Sequence, residues 1–581
     1  MSKHLLAISI GPVQDFIAAA RRTADLYAGS QLLVEIANTI VNHIVDKRYG
    51  TLIFPANPNT DGPNKIIAEI TNADPATVSK ECRNAALDYL REVWRDAMEQ
   101  IPKSHFDEDN ANKQIESFLE FYSAWLEWDG QEGTYESKRQ QLDRLLAGRK
   151  ALRDFLQPDK VNNRPKSPLD PSRDCVLKIS GKEAVPQEYQ THPLWLKQRE
   201  TLDALSLLKR VRGDKLKNVF STSRMAAQAI LPAVQKVATH PDQNVLKNAL
   251  TELNTLVEQS PSGIDMGDLM FPNRLEEEIE ALQKAQDKKY DKRRDEVLKL
   301  LSNQDIPQWR KTILDAAKSL GYRGSECPPY YAIVAADGDR MGALIGELKS
   351  KEKHHTFSQL LSDFARKARA IVETDHNGFR IYSGGDDVLA LLPLNQALKC
   401  AASLAGKFRE ILTSKEDIKN AIDALNKTGK PGGSLSVAIA IVHHMDPLLV
   451  SLEHARAAEK EAKNHRNALA VALHTRAGEP ILVAERWNDQ YDVTDWQDWI
   501  DAFRNGLARG FPYELRTLAR EFQAEEMPVD RLQEEANRIY ERKEKKTSLP
   551  LPDFEKSPRK LEDFAKKLVI ARFLSTYEVN Q

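Results

Sequence analysis

The chain has 581 residues, too many for one ordinary core, and its length predicts about three to five domains. Apolar residues make up 41%, enough to bury a sizeable core, while 29% charged residues balance to a formal net charge of -2. That balance excludes a global electrostatic attraction to nucleic acid or membrane, though not RNA binding inside a complex whose other subunits carry the basic surface.

The four cysteines, Cys82, Cys175, Cys327 and Cys400, lie far apart, and none forms a C-x-x-C pair. A disulfide scaffold and a zinc ribbon are therefore not expected. The opening "MSKHLLAISIGPVQDF" carries an apolar run too short for a signal peptide, and no stretch of about 18 uninterrupted apolar residues occurs. The expectation is a soluble cytoplasmic protein with no membrane association.

In chain order, Leu5 to Ile10 reads as a buried strand, and "GPVQDF" opens a helical pattern through Ala28. A second helix is predicted from Gln31 to Val45, then two short strands around the Pro/Asn/Gly turn of "TLIFPANPNTDGPNKIIAEI", then a helix near Val78 to Met98. This is most of a ferredoxin-like unit. Residues 106 to 155 read as charged and helical, and "QPDKVNNRPKSPLDPS" from Gln157 as a linker or exposed loop. A helical middle region follows, including "RLEEEIEALQKAQDKKYDKRRDEVLKLL", whose mixed charges read as a solvated helix.

From Tyr330 the pattern sharpens. "YYAIVAADGD" is an apolar strand ending in acids, and "FSQLLSDFARKARAIV" has helical period. The strands "FRIYS" and "VLALLP" flank "GGDD". A helix from about Gln396 to Leu412, the strand "SLSVAIAIVHH", the helix "LLVSLEHARAAEKEAKNHR" and the strand "ALAVAL" complete the run. The fold class is α+β: two ferredoxin-like (βαββαβ) palm domains separated by a helical middle domain, with a helical C-terminal domain. The boundaries read as 1–156 for the first palm with a helical insertion, 157–328 for the linker and middle domain, 329–486 for the second palm and 487–581 for the C-terminal helices.

In that topology the first and third strands of a unit are neighbours, which would bring Asp337 to the hairpin tip carrying Asp386 and Asp387. Three crowded carboxylates repel one another unless a cation sits among them. An all-oxygen ligand set suits Mg²⁺ or Mn²⁺ rather than zinc. Two such ions about 3.5–4 Å apart perform in-line phosphoryl transfer. Asp337, Asp386 and Asp387 are thus the expected catalytic and metal-binding residues, with Gly338 beside them in the metal set. Gly384 and Gly385, together with Ser383, are expected at the nucleotide, since absent side chains permit positive φ and close approach of a ligand to the backbone. Lys463 and Arg466, three residues apart, are read on one face of the last helix and favoured as phosphate-binding cations, Lys463 ahead of Arg466; the plainer reading is compensation of the helix dipole. Asp339 is read as an indirect support of the metal or a helix cap. His443 and His444, pointing to opposite faces of a strand end, suit a structural or outer role rather than metal binding. No P-loop, no G-x-S-x-G elbow and no His-Asp dipeptide occurs.

The segments "ISIGPVQDFIAAARRTADLYAGS", "LIFPANPNTDGPNK", "YYAIVAADGDRMG", "IYSGGDDVLALLPL" and "SLSVAIAIVHHMDPL" with "AEKEAKNHRNALAV" resemble the large, palm-containing polymerase/cyclase subunit of type III-B (Cmr-type) CRISPR effector complexes. The resemblance implies a subunit that senses target RNA paired to CRISPR RNA and converts ATP into cyclic oligoadenylate second messengers in antiviral defence. It implies Asp386 and Asp387 as metal ligands with Asp337 as partner, two ATP molecules between the palms, and other complex subunits as partners, among them a small helical subunit docking on the C-terminal helices. The first palm's hairpin "PANPNTDGPN" lacks paired acids, so that palm is expected to bind a nucleotide without catalysing. Two departures from the family stand out. The chain starts at the first palm without an HD nuclease domain, so no DNase activity of that kind is expected. Lys178 stands where a second cysteine would follow Cys175, leaving structural zinc doubtful. Two alternatives stay open: a non-catalytic scaffold for guide and target RNA, and a nucleotidyl cyclase or transferase making a different nucleotide signal.

Overall fold

The computed structural model describes residues 3–58, 63–152, 164–178, 194, 196, 200–216, 219–259, 264–284, 298–429, 431–524, 529–543 and 549–579. Parts of the predicted segments lie outside these: the tip of the first-palm hairpin, the start of the 157–172 linker, most of 179–199 and shorter stretches of the middle region, the centre of the charged 274–301 stretch, and residues 525–528 and 544–548 of the C-terminal region.

The first sheet contains β1 (His4–Gly11), β2 (Gly50–Phe54), β3 (Lys65–Ile70) and β4 (Glu120–Glu127), in the order β2-β3-β1-β4. All neighbours are antiparallel, with His4 opposite both Ile70 and Glu127 across β1. Strand β1 is apolar at every other residue on both faces because both are covered. Leu6, Ile8 and Ile10 pack with Ile36, Ile40 and Val78 of the Thr23–Asp46 and Pro75–Met98 helices. Leu5 and Ala7 pack with Tyr135, Leu142 and Leu146 of the Glu132–Ala151 helix.

The second sheet contains β5 (Tyr330–Gly338), β6 (Phe379–Gly384), β7 (Asp387–Pro393), β8 (Leu435–His443), β9 (Ala468–Leu473) and β10 (Ile481–Arg486), in the order β10-β9-β8-β5-β7-β6. Its β8-β5-β7-β6 portion repeats the strand order of the first sheet. The Leu448–His465 helix then returns the chain to a parallel β9. Ala332, Val334 and Ala336 of β5 pack with Phe357 and Phe364 of the Lys351–Ala370 helix and Phe408 of the Ala397–Thr413 helix. Tyr331 and Ile333, on the other face, join the core that also holds the first palm and the middle helices. Burial on both faces is the physical reason β5 reads as an unbroken apolar run.

The palms meet directly. Lys351 Nζ lies 2.7 Å from Glu69 Oε2, Tyr135 Oη is 2.8 Å from His354 Nδ1, and Arg456 Nη2 donates to Gln14 O at 2.9 Å. The C-terminal helices Thr494–Arg504, Phe511–Ala524, Leu532–Lys543 and Pro558–Leu574 pack on the second palm through Trp496, Trp499, Phe511 and Phe564.

Three local expectations are corrected. The charged 106–155 stretch is not helical throughout: Glu120–Glu127 is a strand, and it completes the first sheet. Its alternation has period 2, with Ala124 buried toward Leu5 and Trp125 on the exposed side. Residues 23–46 form one helix rather than two, preceded by the short Gln14–Ala18 helix. Arg466 lies beyond the end of the Leu448–His465 helix, at φ 57°, so it does not share a helical face with Lys463.

Candidate metal and nucleotide site

Antiparallel pairing of β5 with β7 sets Ala336 opposite Val388, which brings Asp337, the next residue on β5, beside Asp387 at the start of β7. Gly384 pairs with Asp387, so Gly385 and Asp386 form the turn between β6 and β7. Gly385 has φ +69°, a conformation that side chains resist. A Cβ on Gly384 would stand 1.8 Å from Tyr382 Oη, and one on Gly338 only 2.6 Å from Asp386 Oδ2. Glycine at 338 therefore lets the Asp386 carboxylate lie against the backbone, where the Gly338 amide hydrogen-bonds it.

The result is a cluster in which one carboxylate oxygen from each of Asp337, Asp386 and Asp387 lies within 4.8 Å of the others. Burial and the Asp337 charge push the Asp386 pKa up. Burial, a hydrogen bond to Asp337 and the charge of Asp386 push Asp387 up as well. Both directions are those of carboxylates crowded without enough positive charge. Lys463 supplies part of it, with Nζ 2.8 Å from Asp337 Oδ1 and 3.2 Å from Glu459 Oε1. Three half-buried carboxylates on rigid strand ends, under-compensated by one ammonium, fit a divalent cation with oxygen ligands.

The remaining sequence candidates fall elsewhere. Ser383 is fully buried, and its hydroxyl accepts from Arg380 Nη1 at 3.1 Å and donates to Ala365 O at 3.3 Å. Arg466 Nη1 sits 3.3 Å from Asp339 Oδ1 rather than at the triad. Asp339 is fully buried and accepts from Ser434 Oγ, Ser436 Oγ and the Asn467 amide, each at 2.8 Å. It caps no helix; it fastens the loop between the Leu448–His465 helix and β9 to the end of β5. His444 is buried, stacks on Phe271 at 4.0 Å and hydrogen-bonds Ser223, a structural role.

Between the palms lies a cavity of about 210 Å³. Val13, Gln14, Ile17, Ala18, Leu26 and Asn64 line it from the first palm, and Tyr382, Asp387, Val388, Arg456 and Glu459 from the second. Sequence reasoning missed Arg456 and Glu459. Their signal was present in the spacing: Arg456, Glu459 and Lys463 recur at i, i+3 and i+7, one stripe of a helix.

A ferredoxin-like palm with a carboxylate cluster at its central strand ends defines the chain as having a nucleotidyltransferase-type fold. Residues 330–470 match the family model described as Cas10/Cmr2, second palm domain, and residues 5–99 that of CRISPR-associated protein Cmr2, N-terminal. The chain is 23% identical, over 83% of its own length, to the CRISPR system Cmr subunit Cmr2 of Pyrococcus furiosus, and spans 63% of that relative's length. It superposes on a chain of a type III-B Cmr-beta cryo-EM structure in the apo state with TM-score 0.62 at 11% identity, covering 96% of this chain and 78% of that one. For a type III-B Cmr-beta structure bound to cognate target RNA the TM-score is 0.61 at 12% identity, covering 96% and 80%. The chain thus carries a palm matched by the Cas10/Cmr2 model and an N-terminal region matched by the Cmr2 model, and it is similar in sequence and fold to the palm-containing large subunit of type III-B complexes. Among the described residues, no helix is long and apolar enough to cross a membrane.

Proposed function

We propose that this chain is the catalytic large subunit of an RNA-guided CRISPR effector complex, and that it joins ATP into cyclic oligoadenylate when target RNA pairs with CRISPR RNA. The observation that carries the reading is the convergence of Asp337, Asp386 and Asp387 to within 4.8 Å beside a cavity walled by both palms. A scaffold gains nothing from crowding three acids, with the ionised forms of Asp386 and Asp387 disfavoured by burial.

In this reading Asp337, Asp386 and Asp387 hold Mg²⁺ or Mn²⁺, which would favour ionisation of an attacking ribose hydroxyl and offset charge on the leaving pyrophosphate. Lys463 leaves Asp337 for the triphosphate, and Glu459, four residues earlier on the same helix, orients it. The bare backbone at Gly384 and Gly385 admits the phosphates closely. Apolar walls from Val13, Ile17, Leu26 and Val388 keep water from the reacting groups. The first palm contributes Gln14 and Asn64 to the second nucleotide and, among the described residues, no acid of its own at that wall. Partner subunits dock on the C-terminal helices.

The test is incubation of the assembled complex with ATP, Mg²⁺ or Mn²⁺ and complementary target RNA, with products identified by mass. Cyclic oligoadenylate supports the reading. No product under any RNA condition favours a scaffold, and a mixed adduct favours a different nucleotidyl transferase.

A further inference from the structure

Lys209 is a buried charge that the nucleotide site leaves unused. It sits on the Ala204–Lys215 helix of the middle region, 1% exposed, and burial pulls its pKa down to about 8. An ammonium survives such burial only when its donors are satisfied. Its Nζ donates to Phe16 O at 2.7 Å and to Ala19 O, and lies 4.6 Å from the centroid of the Phe16 ring. Those carbonyls close the C-terminal end of the Gln14–Ala18 helix, where backbone acceptors lack helical partners and the dipole favours a cation.

The neighbouring chain makes room for this reach. A Cβ on Gly29 would stand 2.8 Å from Lys209 Cδ, and one on Gly213 would stand 2.9 Å from the Ala24 backbone. Arg210, the next residue, is pinned 3.0 Å from Asp25 Oδ2 and 2.7 Å from Glu200 Oε1. The helix presenting Lys209 is therefore fixed against the Thr23–Asp46 helix. The helix that Lys209 grips is a wall of the inter-palm cavity, through Gln14, Ile17 and Ala18. Its outer end is held by Arg456, on the same helix as Lys463.

We infer that Lys209 is a positioning residue for the nucleotide site: it reaches from the middle region past Gly29 and fixes the Gln14–Ala18 helix, and with it the width of the cavity. The inference rests on reading that cavity as a nucleotide site. It gives the middle helices a mechanical route to the site without any contact with nucleotide, because a displaced Ala204–Lys215 helix must carry the cavity wall with it.

The test measures equilibrium binding of a non-hydrolysable ATP analogue and, separately, of Mn²⁺ to the full chain. Lys209→Met keeps the length of the side chain and removes its donors. Analogue binding is expected to weaken about tenfold while Mn²⁺ binding stays unchanged; a merely structural defect would lower both. Combined with Gln14→Ala, the losses are expected to be non-additive, because both act through one short helix. Unchanged analogue affinity in folded Lys209→Met, or strict additivity, overturns the inference. Should that variant not fold, hydrogen exchange on the unaltered chain decides. The analogue must slow exchange at 16–20 and at 204–215 together, and protection confined to 16–20 overturns the inference. An unaltered chain that binds no analogue at all overturns the nucleotide reading itself and takes this inference with it, a failure distinct from one at Lys209.

Discussion

In the first palm, β1 ends at Gly11 and β3 begins at Lys65, whose ammonium is taken by Asp143 at 2.7 Å. In the second, the corresponding strands β5 and β7 end at Asp337–Gly338 and begin at Asp387. The two sheets share a four-strand order and antiparallel pairing, and both central strands are buried on both faces. They differ in what stands at the strand ends and in how tightly the hairpin closes. Two residues turn β6 into β7, whereas residues 55–64 separate β2 from β3. The lesson is that the core specifies the frame while a handful of terminal side chains decides whether the frame can hold a cation.

Changes at the acids break that asymmetry most severely. Asp386→Ala with Asp387→Ala should lower oligoadenylate formation by about 10³-fold or more, read as product by mass, while RNA binding by the complex is nearly intact. Product at the original level would move chemistry away from the second palm. Lys463→Met comes next, with a loss of about 10²-fold in rate, as expected for removing a phosphate clamp. A rate within a few-fold of the unaltered complex would return Lys463 to a purely structural partner of Asp337.

Crowding also predicts a pH dependence. The folded-state values of Asp386 and Asp387 are raised, so the folded chain binds more protons than the unfolded one above the ordinary aspartate range, about 4. In the presence of a chelator, the melting temperature should therefore fall as pH rises through neutrality, and Asp387→Asn should flatten that slope. A stability that rises over the same interval in the unaltered chain would show that the acids are not mutually repelling. On the first-palm side, Asn64→Ala should weaken binding of an ATP analogue about three- to fivefold by loss of a single polar contact, leaving Mn²⁺ binding as it was. Loss of both would mean that the first palm shapes the acid cluster and does not merely face it. Smallest in its effect on metal is Asp339→Asn. It should cost about 1–3 kcal/mol of stability, read by denaturant unfolding, because Ser434, Ser436, Asn467 and Arg466 all bond that carboxylate, and it should leave Mn²⁺ affinity unchanged.

Much of this architecture was legible in the residues. Strand β5 declares itself because burial on both faces demands an unbroken apolar run, and the hairpin declares itself because Gly385 has to adopt positive φ. The meeting of Asp337 with Asp386 and Asp387 followed from strand order alone, since antiparallel neighbours bring one strand's end to the other's beginning. Strand β4 was hidden because it is an edge strand between two charged helices, and its apolar residues Phe121, Tyr122, Ala124, Trp125 and Leu126 fall next to one another on both faces rather than alternating with polar ones. Arg466 was misjudged for a different reason. Where a helix stops depends on Asp339, 127 residues away in sequence, and no local spacing carries that information. Ser383 was assigned by its neighbours in the motif, yet alternation along β6 sends its hydroxyl into the core. The inter-palm cavity, built from five separate segments, has no signature in any one of them.

Mn²⁺ titration of the full chain by calorimetry or electron paramagnetic resonance, with and without Asp386→Asn and Asp387→Asn together, reaches the heart of the account. The expected result is binding by the unaltered chain that the double variant loses and Lys463→Met retains. Equal Mn²⁺ binding by the unaltered chain and the double variant would contradict a cation site at these strand ends.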